Sequence, residues 1–404
     1  MLKILVLTHK PPYPPVDGGT IASLQIIKDL ALAKHDVTVL TMITPKHPSN
    51  IKQYPNEITQ HINWKGVAVD TGISISNALK NLLFSKLPFT AERFIDEEYN
   101  IQLKEILQNN TFDLIQLEGV YLTPYINTVK KYCKAKISFR AHNIEFEIWK
   151  KLARKTASPL KRLYLFNLAN RVERFEIEVI NKYDMLVPIT RFDLIRFDDL
   201  GNAKPAITIP ASISEDKIQA EAENSNSRNL FYLGALDWKP NRDGLMWFFK
   251  KVWPILKRMR PSLEFHVAGR NAPESFKKIT NIPGVVFHGE VESAEKFIIE
   301  NDIMVVPLFA GSGMRIKIIE SLALGKAIVT TSLGAEGIDI VHGKNILISN
   351  TASGYITSIN KLLDNREFCS KLKMSALQLI RKKYASQEIA NKLSNFYLKN
   401  TSCK

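Results

Sequence analysis

The sequence predicts an α/β protein built from two successive Rossmann-like halves, each a parallel sheet covered by helices. Three observations lead there. The chain has 404 residues, about twice the common size of one domain. Short apolar runs alternate with amphipathic segments, the pattern of strands joined by crossover helices. That alternation stops at a polar stretch over 211–228 and restarts at residue 229.

In the first half, residues 1–210, strands are expected at 3–8, 36–42, 62–69, 112–117, 136–140 and 184–189. Between the first two, Ile21, Leu24, Ile27 and Leu30 recur at helical spacing and predict a helix over 20–33. Residues 211–228 hold few large apolar side chains and are read as the linker. In the second half, residues 229–385, strands are expected at 229–234, 263–268, 285–287, 303–308 and 327–331, with helices at 244–259 and 317–324. The tail 386–404 has a helical pattern suited to packing back on the first half. Ligands of open parallel sheets bind outside the carboxyl ends of the strands, so the expected site is a cleft between two facing sheets.

Hydrophobic residues make up 45% of the chain and charged residues 24%, enough for two cores. Cys133, Cys369 and Cys403 show no paired spacing, which argues against a disulfide framework or a zinc site and points to a reducing cytoplasm. No run of about 18 apolar residues is present to span a bilayer, and the short apolar N-terminus reads as a buried strand rather than a signal peptide. The net charge of +15 attracts polyanions. It is spread over both halves without a recognition motif, which disfavours nucleic acid.

The most informative stretch is Phe309-Ala310-Gly311-Ser312-Gly313-Met314-Arg315-Ile316-Lys317-Ile318-Ile319-Glu320. A strand ends, a glycine turn follows and a helix begins near Arg315. Helix-start N–H groups favour an anion, and two cations placed in that first turn oppose the helix dipole unless an anion is bound. Glu320, one turn deeper, is suited to accept the hydroxyls of a ribose. The plainer alternative is a tight turn with two solvated basic residues and a helix-surface Glu.

The run 311–320, followed by Ser321-Leu322-Ala323-Leu324-Gly325-Lys326 and the strand and turn through Gly337, resembles the donor-binding signature of the retaining glycosyltransferases of family 4, which have the GT-B fold. The resemblance implies a nucleotide-diphosphate sugar as donor, UDP- or GDP-linked, with no further cofactor and no metal. It implies donor contacts from Gly311, Ser312, Gly313, Met314, Arg315, Lys317 and Glu320, the last on the ribose. The family's first glutamate is replaced by Ser312, and its loop arginine by Ala235, leaving Lys239, Arg242 or the Arg315/Lys317 pair to supply the charge; Lys239 is the preferred substitute. Gly18 and Gly19 match a glycine turn facing the donor phosphates, with Asp17 as an acceptor-side group or, alternatively, a helix cap. His142, in Ala141-His142-Asn143-Ile144-Glu145, corresponds to a histidine beside the donor sugar. Catalytic roles fall to His142, Arg315 and Lys317.

The implied acceptor is a cell-envelope or exopolysaccharide glycan or a lipid-linked precursor. The basic and partly apolar segment 149–174 suits peripheral contact with an anionic membrane at the inner face of the plasma membrane, or else a solvated helix face. The rival readings are a nucleotide-sugar epimerase on the same fold and a nucleotide-sugar-binding protein without turnover.

Overall fold

A computed structural model describes residues 1–72, 74–219, 228–311 and 313–401. The chain folds as two units: residues 1–212 together with 389–404, and residues 213–388. The final helix, Ser386–Thr401, thus begins in the second unit and completes the first. Part of the stretch expected as linker, 220–227, and Ser312 lie outside the described residues.

The first unit's sheet holds β1 (Lys3–Thr8), β2 (Asp36–Ile43), β3 (Ile62–Ala68), β4 (Leu114–Glu118), β5 (Lys136–Ala141) and β6 (Met185–Pro188). Their order is β3-β2-β1-β4-β5-β6 and every pairing is parallel. The second unit's sheet holds β7 (Leu230–Leu233), β8 (Phe265–Ala268), β9 (Val285–Gly289), β10 (Ile303–Val306), β11 (Ala327–Thr330) and β12 (Leu347–Ile348). Their order, β12-β11-β10-β7-β8-β9, repeats the topology of the first sheet. Each sheet has a switch point where the strand order reverses, β1 beside β4 in one and β7 beside β10 in the other.

Strand side chains explain why both faces are covered. Leu5, Leu7, Ile115 and Leu117 enter one core of the first unit, whereas Ile4, Val6, Val37 and Val39 enter the other. In the second unit Leu230, Tyr232, Ile303 and Val305 face one core, and Phe231, Met304 and Val306 the other. Continuous apolar strands with two-residue alternation between two cores are what a parallel sheet buried on both faces requires.

The structure departs from the sequence expectations in four places. The first helix starts at Gly18, not Thr20, because Asp17 closes a capping box with Thr20 and draws both glycines into the helix. The expected helix 244–259 starts earlier, at Lys239, and breaks at Val252 into Lys239–Lys251 and Trp253–Met259. Pro254 cannot donate to the preceding turn. The segment 149–174 is two helices, Glu145–Lys155 and Pro159–Val179. The two-residue edge strand β12 is too short to be read from periodicity.

Candidate functional site

The second unit's candidate site lies at its switch point, where chain leaves β7 through Gly234 and β10 through Pro307. The turn after β10 uses Gly311 (φ +119°) and Gly313 (φ +81°), conformations that favour glycine. A Cβ on Gly311 would also fall 2.6 Å from the Trp238 ring and 3.0 Å from the Arg315 guanidinium. The helix Ile316–Ala323 follows, with Arg315 at its N-cap position, where its side chain makes no capping hydrogen bond. Those amides remain suited to an anion.

Arg315 is buried, and its guanidinium lies 5.7 Å from the centre of the Trp238 ring. The Lys317 ammonium donates to the Tyr232 hydroxyl at 3.0 Å and to Asn241 Oδ1 at 3.4 Å, and sits 4.3 Å from the centre of the Tyr232 ring. These partners are neutral, and among the described residues no carboxylate pairs with Lys317. Burial, reinforced by the charge of Arg315, pushes its pKa down to about 7. A half-buried ammonium held by a phenol and an amide is suited to an anion. A Cβ at Gly234 would come within 2.8 Å of the Lys317 Nζ, so that glycine keeps the approach to the ammonium open.

Glu320 is half-buried. Burial pushes its carboxyl above the usual range; Lys217 opposes this and Glu295 adds to it. It therefore shares its surroundings with Lys217 and Glu295, not with the Tyr232–Asn241 pair that holds Lys317. Lys239 opens its helix as an exposed residue paired with Asp243 at 2.5 Å. Arg242 donates to the Leu236 carbonyl at 2.6 Å, and Met314 packs against the core beneath the turn. Residue spacing brought out Arg315 and Lys317 but not Tyr232, Asn241 or Trp238, which come from the β7 strand and the loop and helix after it.

In the first unit a polar cluster gathers at the carboxyl ends of β4 and β5. Glu118, the last residue of β4, is buried; its carboxylate accepts from His142 Nε2 at 2.7 Å, Ser23 Oγ at 2.8 Å and Gln116 Nε2 at 2.6 Å. The fully buried Arg140 lies 3.5 Å away. Burial alone would raise the Glu118 pKa, but the hydrogen bond and charge of His142, then Arg140 and Ser23, hold it below the ordinary value. The loop carrying His142 is anchored by Glu176, whose carboxyl accepts from the backbone N–H of Glu145 at 3.1 Å and of Phe146 at 2.8 Å. Burial pushes Glu176 up to about 8. Glu118 was not foreseen from the sequence. Its signal is position: it ends a central strand of the sheet, and His142 lies just past the end of the neighbouring one.

Gly18 and Gly19 form the first turn of their helix, and a Cβ on Gly19 would lie 3.1 Å from the Lys10 ammonium. The Asp17 carboxylate caps that helix through the Thr20 N–H at 2.9 Å and accepts two 2.8 Å hydrogen bonds from Lys10. The cap alternative for Asp17 is thus realised, alongside an ion pair the sequence did not reveal. His288 pairs with His266 at 3.0 Å across β8 and β9. Among the described residues no cluster of His, Cys, Asp or Glu is arranged to hold a metal ion, and no helix is long and apolar enough to cross a membrane.

Two parallel sheets of the same topology, one in each of two successive units, define a twin-Rossmann protein of the GT-B fold. Residues 227–365 match the model of a family described as glycosyl transferases group 1. A Klebsiella pneumoniae protein, described as an uncharacterized 44.6 kDa protein in the cps region, is 23% identical over 398 residues, covering 96% of this chain and 98% of its own. Among solved structures, Anabaena Alr3699/HepE in complex with UDP superposes with a TM-score of 0.69 at 12% identity, covering 98% of this chain and 100% of that one. A glycosyltransferase from Rickettsia africae ESF-5 gives 0.66 at 13%, covering 100% of both chains. The sucrose-phosphate synthase of Thermosynechococcus elongatus gives 0.68 at 14%, covering 98% of both. The match falls on the unit that carries the glycine turn.

Proposed function

We propose that this protein transfers a sugar from a nucleoside-diphosphate sugar, UDP- or GDP-linked, to an envelope or exopolysaccharide acceptor with retention of configuration. The single observation that carries this reading is the seat formed by Gly311, Gly313, the helix-start amides, Arg315 and Lys317, where among the described residues no carboxylate pairs with the Lys317 ammonium. A relative described as lying in a cps region supports a polysaccharide context, and complexes of the similar Anabaena protein with UDP and UDP-glucose support the donor class.

In the reaction, the bond between the sugar's anomeric carbon and the diphosphate oxygen breaks as the acceptor oxygen bonds to the same face of that carbon. The acceptor's proton passes to a phosphate oxygen of the departing nucleoside diphosphate. Arg315, Lys317 and the amides stabilise the negative charge that develops on that leaving group, a contribution that often dominates catalysis. Ser312 replaces the family's first glutamate, which contacts the donor sugar, and the loop's backbone amides or Ser312 itself take over that contact. Glu320 binds the ribose, Lys239 adds charge to the diphosphate, and His142 lies beside the donor sugar with Glu118 fixing its ring. Gly18 and Gly19 border the phosphates. A peripheral contact with anionic membrane is supported by Leu160 and Leu163, 83% and 70% exposed, which flank Lys161 and Arg162 at the start of the helix Pro159–Val179.

Incubation with a panel of UDP- and GDP-sugars plus a cell-envelope extract tests the reading. Nucleotide release that depends on acceptor is expected. Donor-induced thermal stabilisation without release would favour a binding protein, and interconversion of the sugar nucleotide an epimerase. Glu320→Ala should weaken donor affinity about tenfold, roughly one lost charge-assisted hydrogen bond, with an unchanged melting curve; equal affinity by calorimetry would take Glu320 out of the site. His142→Ala should lower turnover about 10²-fold while donor affinity changes little, and a wild-type rate would return His142 to a structural role.

A further inference from the structure

A cavity of about 430 Å³ opens in the first unit beyond the carboxyl ends of β1 and β2. Lys10, Lys46 and Arg93 line it, with Asp17 as its one carboxylate. Asp17 is already engaged by Lys10 and the Thr20 N–H. Two imidazoles, His9 and His47, complete the polar wall. Burial, then the charge of Lys10, pushes both below their ordinary value, His9 to about 3. Both shifts favour the neutral imidazole, so among the described lining residues three cations face one carboxylate, an excess of two positive charges; the adjacent Glu145 carboxyl is taken up by the Tyr121 hydroxyl at 2.9 Å.

Arg93 is the most telling of these groups. Its guanidinium lies 4.7 Å from the centre of the Phe94 ring, yet its Nε is buried and donates to no partner among the described residues. The neighbouring Glu92 is taken up by Asn81. A buried charged donor with no acceptor is costly unless a ligand supplies one. Two excess positive charges match a phosphate dianion; a single carboxylate would leave one uncompensated. Guanidinium and ammonium groups together are the usual means of holding phosphate.

We propose that this cavity binds a phosphate group carried by the acceptor, with Arg93, Lys46 and Lys10 as its cationic contacts. The preferred acceptor is then a glycosyl phosphate or a diphosphate-linked glycan rather than a neutral sugar. The word acceptor rests on the transferase reading above; the phosphate site itself does not.

Calorimetry on the full chain with inorganic pyrophosphate separates the two. Arg93→Gln and Lys46→Gln should each weaken one class of pyrophosphate site about tenfold and leave UDP affinity unchanged, whereas Lys317→Met should do the reverse. Lys46 is exposed, so its variant keeps the test valid if Arg93→Gln melts early. Pyrophosphate isotherms unaltered in both variants would overturn the site. In the transfer assay, a water-soluble glycosyl phosphate and a lipid-diphosphate-linked glycan distinguish the two sources of phosphate. Arg93→Gln should raise the KM for whichever is used about tenfold without changing donor hydrolysis by water. Equal use of the dephosphorylated glycan by the wild type would overturn the acceptor assignment. If no donor is turned over, the transferase reading fails while the pyrophosphate isotherms still decide the cavity.

Discussion

Replacing Glu118 by Ala should destabilise the first unit by about 3–5 kcal/mol, the range found when one member of a buried ion pair is removed. The carboxylate is buried and serves four groups at once: His142, Ser23, Gln116 and Arg140. Without it, Arg140, which donates to the Ile209 carbonyl at 3.2 Å, is left as a buried charge with no counterion among the described residues. Glu118→Gln keeps the volume and one acceptor but still strands that charge, so it should fall between wild type and Glu118→Ala. Urea unfolding with separate probes for each unit checks this, because two units need not unfold as one. A first-unit transition unchanged in Glu118→Ala would mean that Arg140 finds solvent or another partner, and the cluster would lose its structural role.

The second large effect is expected at Lys317. Lys317→Met preserves length and burial but removes the ammonium, and should lower the rate of donor turnover by about 10²-fold, comparable to removing one oxyanion donor. The same group gives a pH signature. In the free site Lys317 titrates at about 7. A diphosphate favours the charged form and raises that value in the complex. Donor affinity should therefore be level below pH 7 and fall as pH rises above it, by up to about tenfold per unit, because binding must then take up a proton. A sugar nucleotide has no phosphate proton titrating in this range, so the fall belongs to the protein. Calorimetry of a UDP-sugar from pH 6 to pH 9 measures it. A flat profile for the wild type, or an equal slope in Lys317→Met, would remove Lys317 from the diphosphate.

Both predictions rest on groups that differ in how readily they could be read. Lys317 stands next to a glycine turn at the start of a helix, a local pattern with a local physical meaning. That it is half-buried, and held by Tyr232 and Asn241, depends on β7 lying beside β10. Glu118 carries no local signal apart from ending a strand. Its partners come from Ser23 on the first helix and from Arg140 and His142, at the end of the neighbouring strand β5 and just beyond it.

Several features were therefore legible from order along the chain alone. The alternation of apolar runs with helical segments determined two successive parallel sheets, since strand and helix periods are local properties. The glycine turn with Arg315 and Lys317 was legible for the same reason. What the tertiary structure decided was pairing across sequence distance: Glu118 with Ser23, Arg140 and His142, Lys317 with Tyr232 and Asn241, and Arg93 in one cavity with Lys10 and Lys46. Parallel strands that meet in space are separated by whole crossover connections, so the neighbours that set a side chain's charge and burial are chosen by sheet order, which no short window of residues contains.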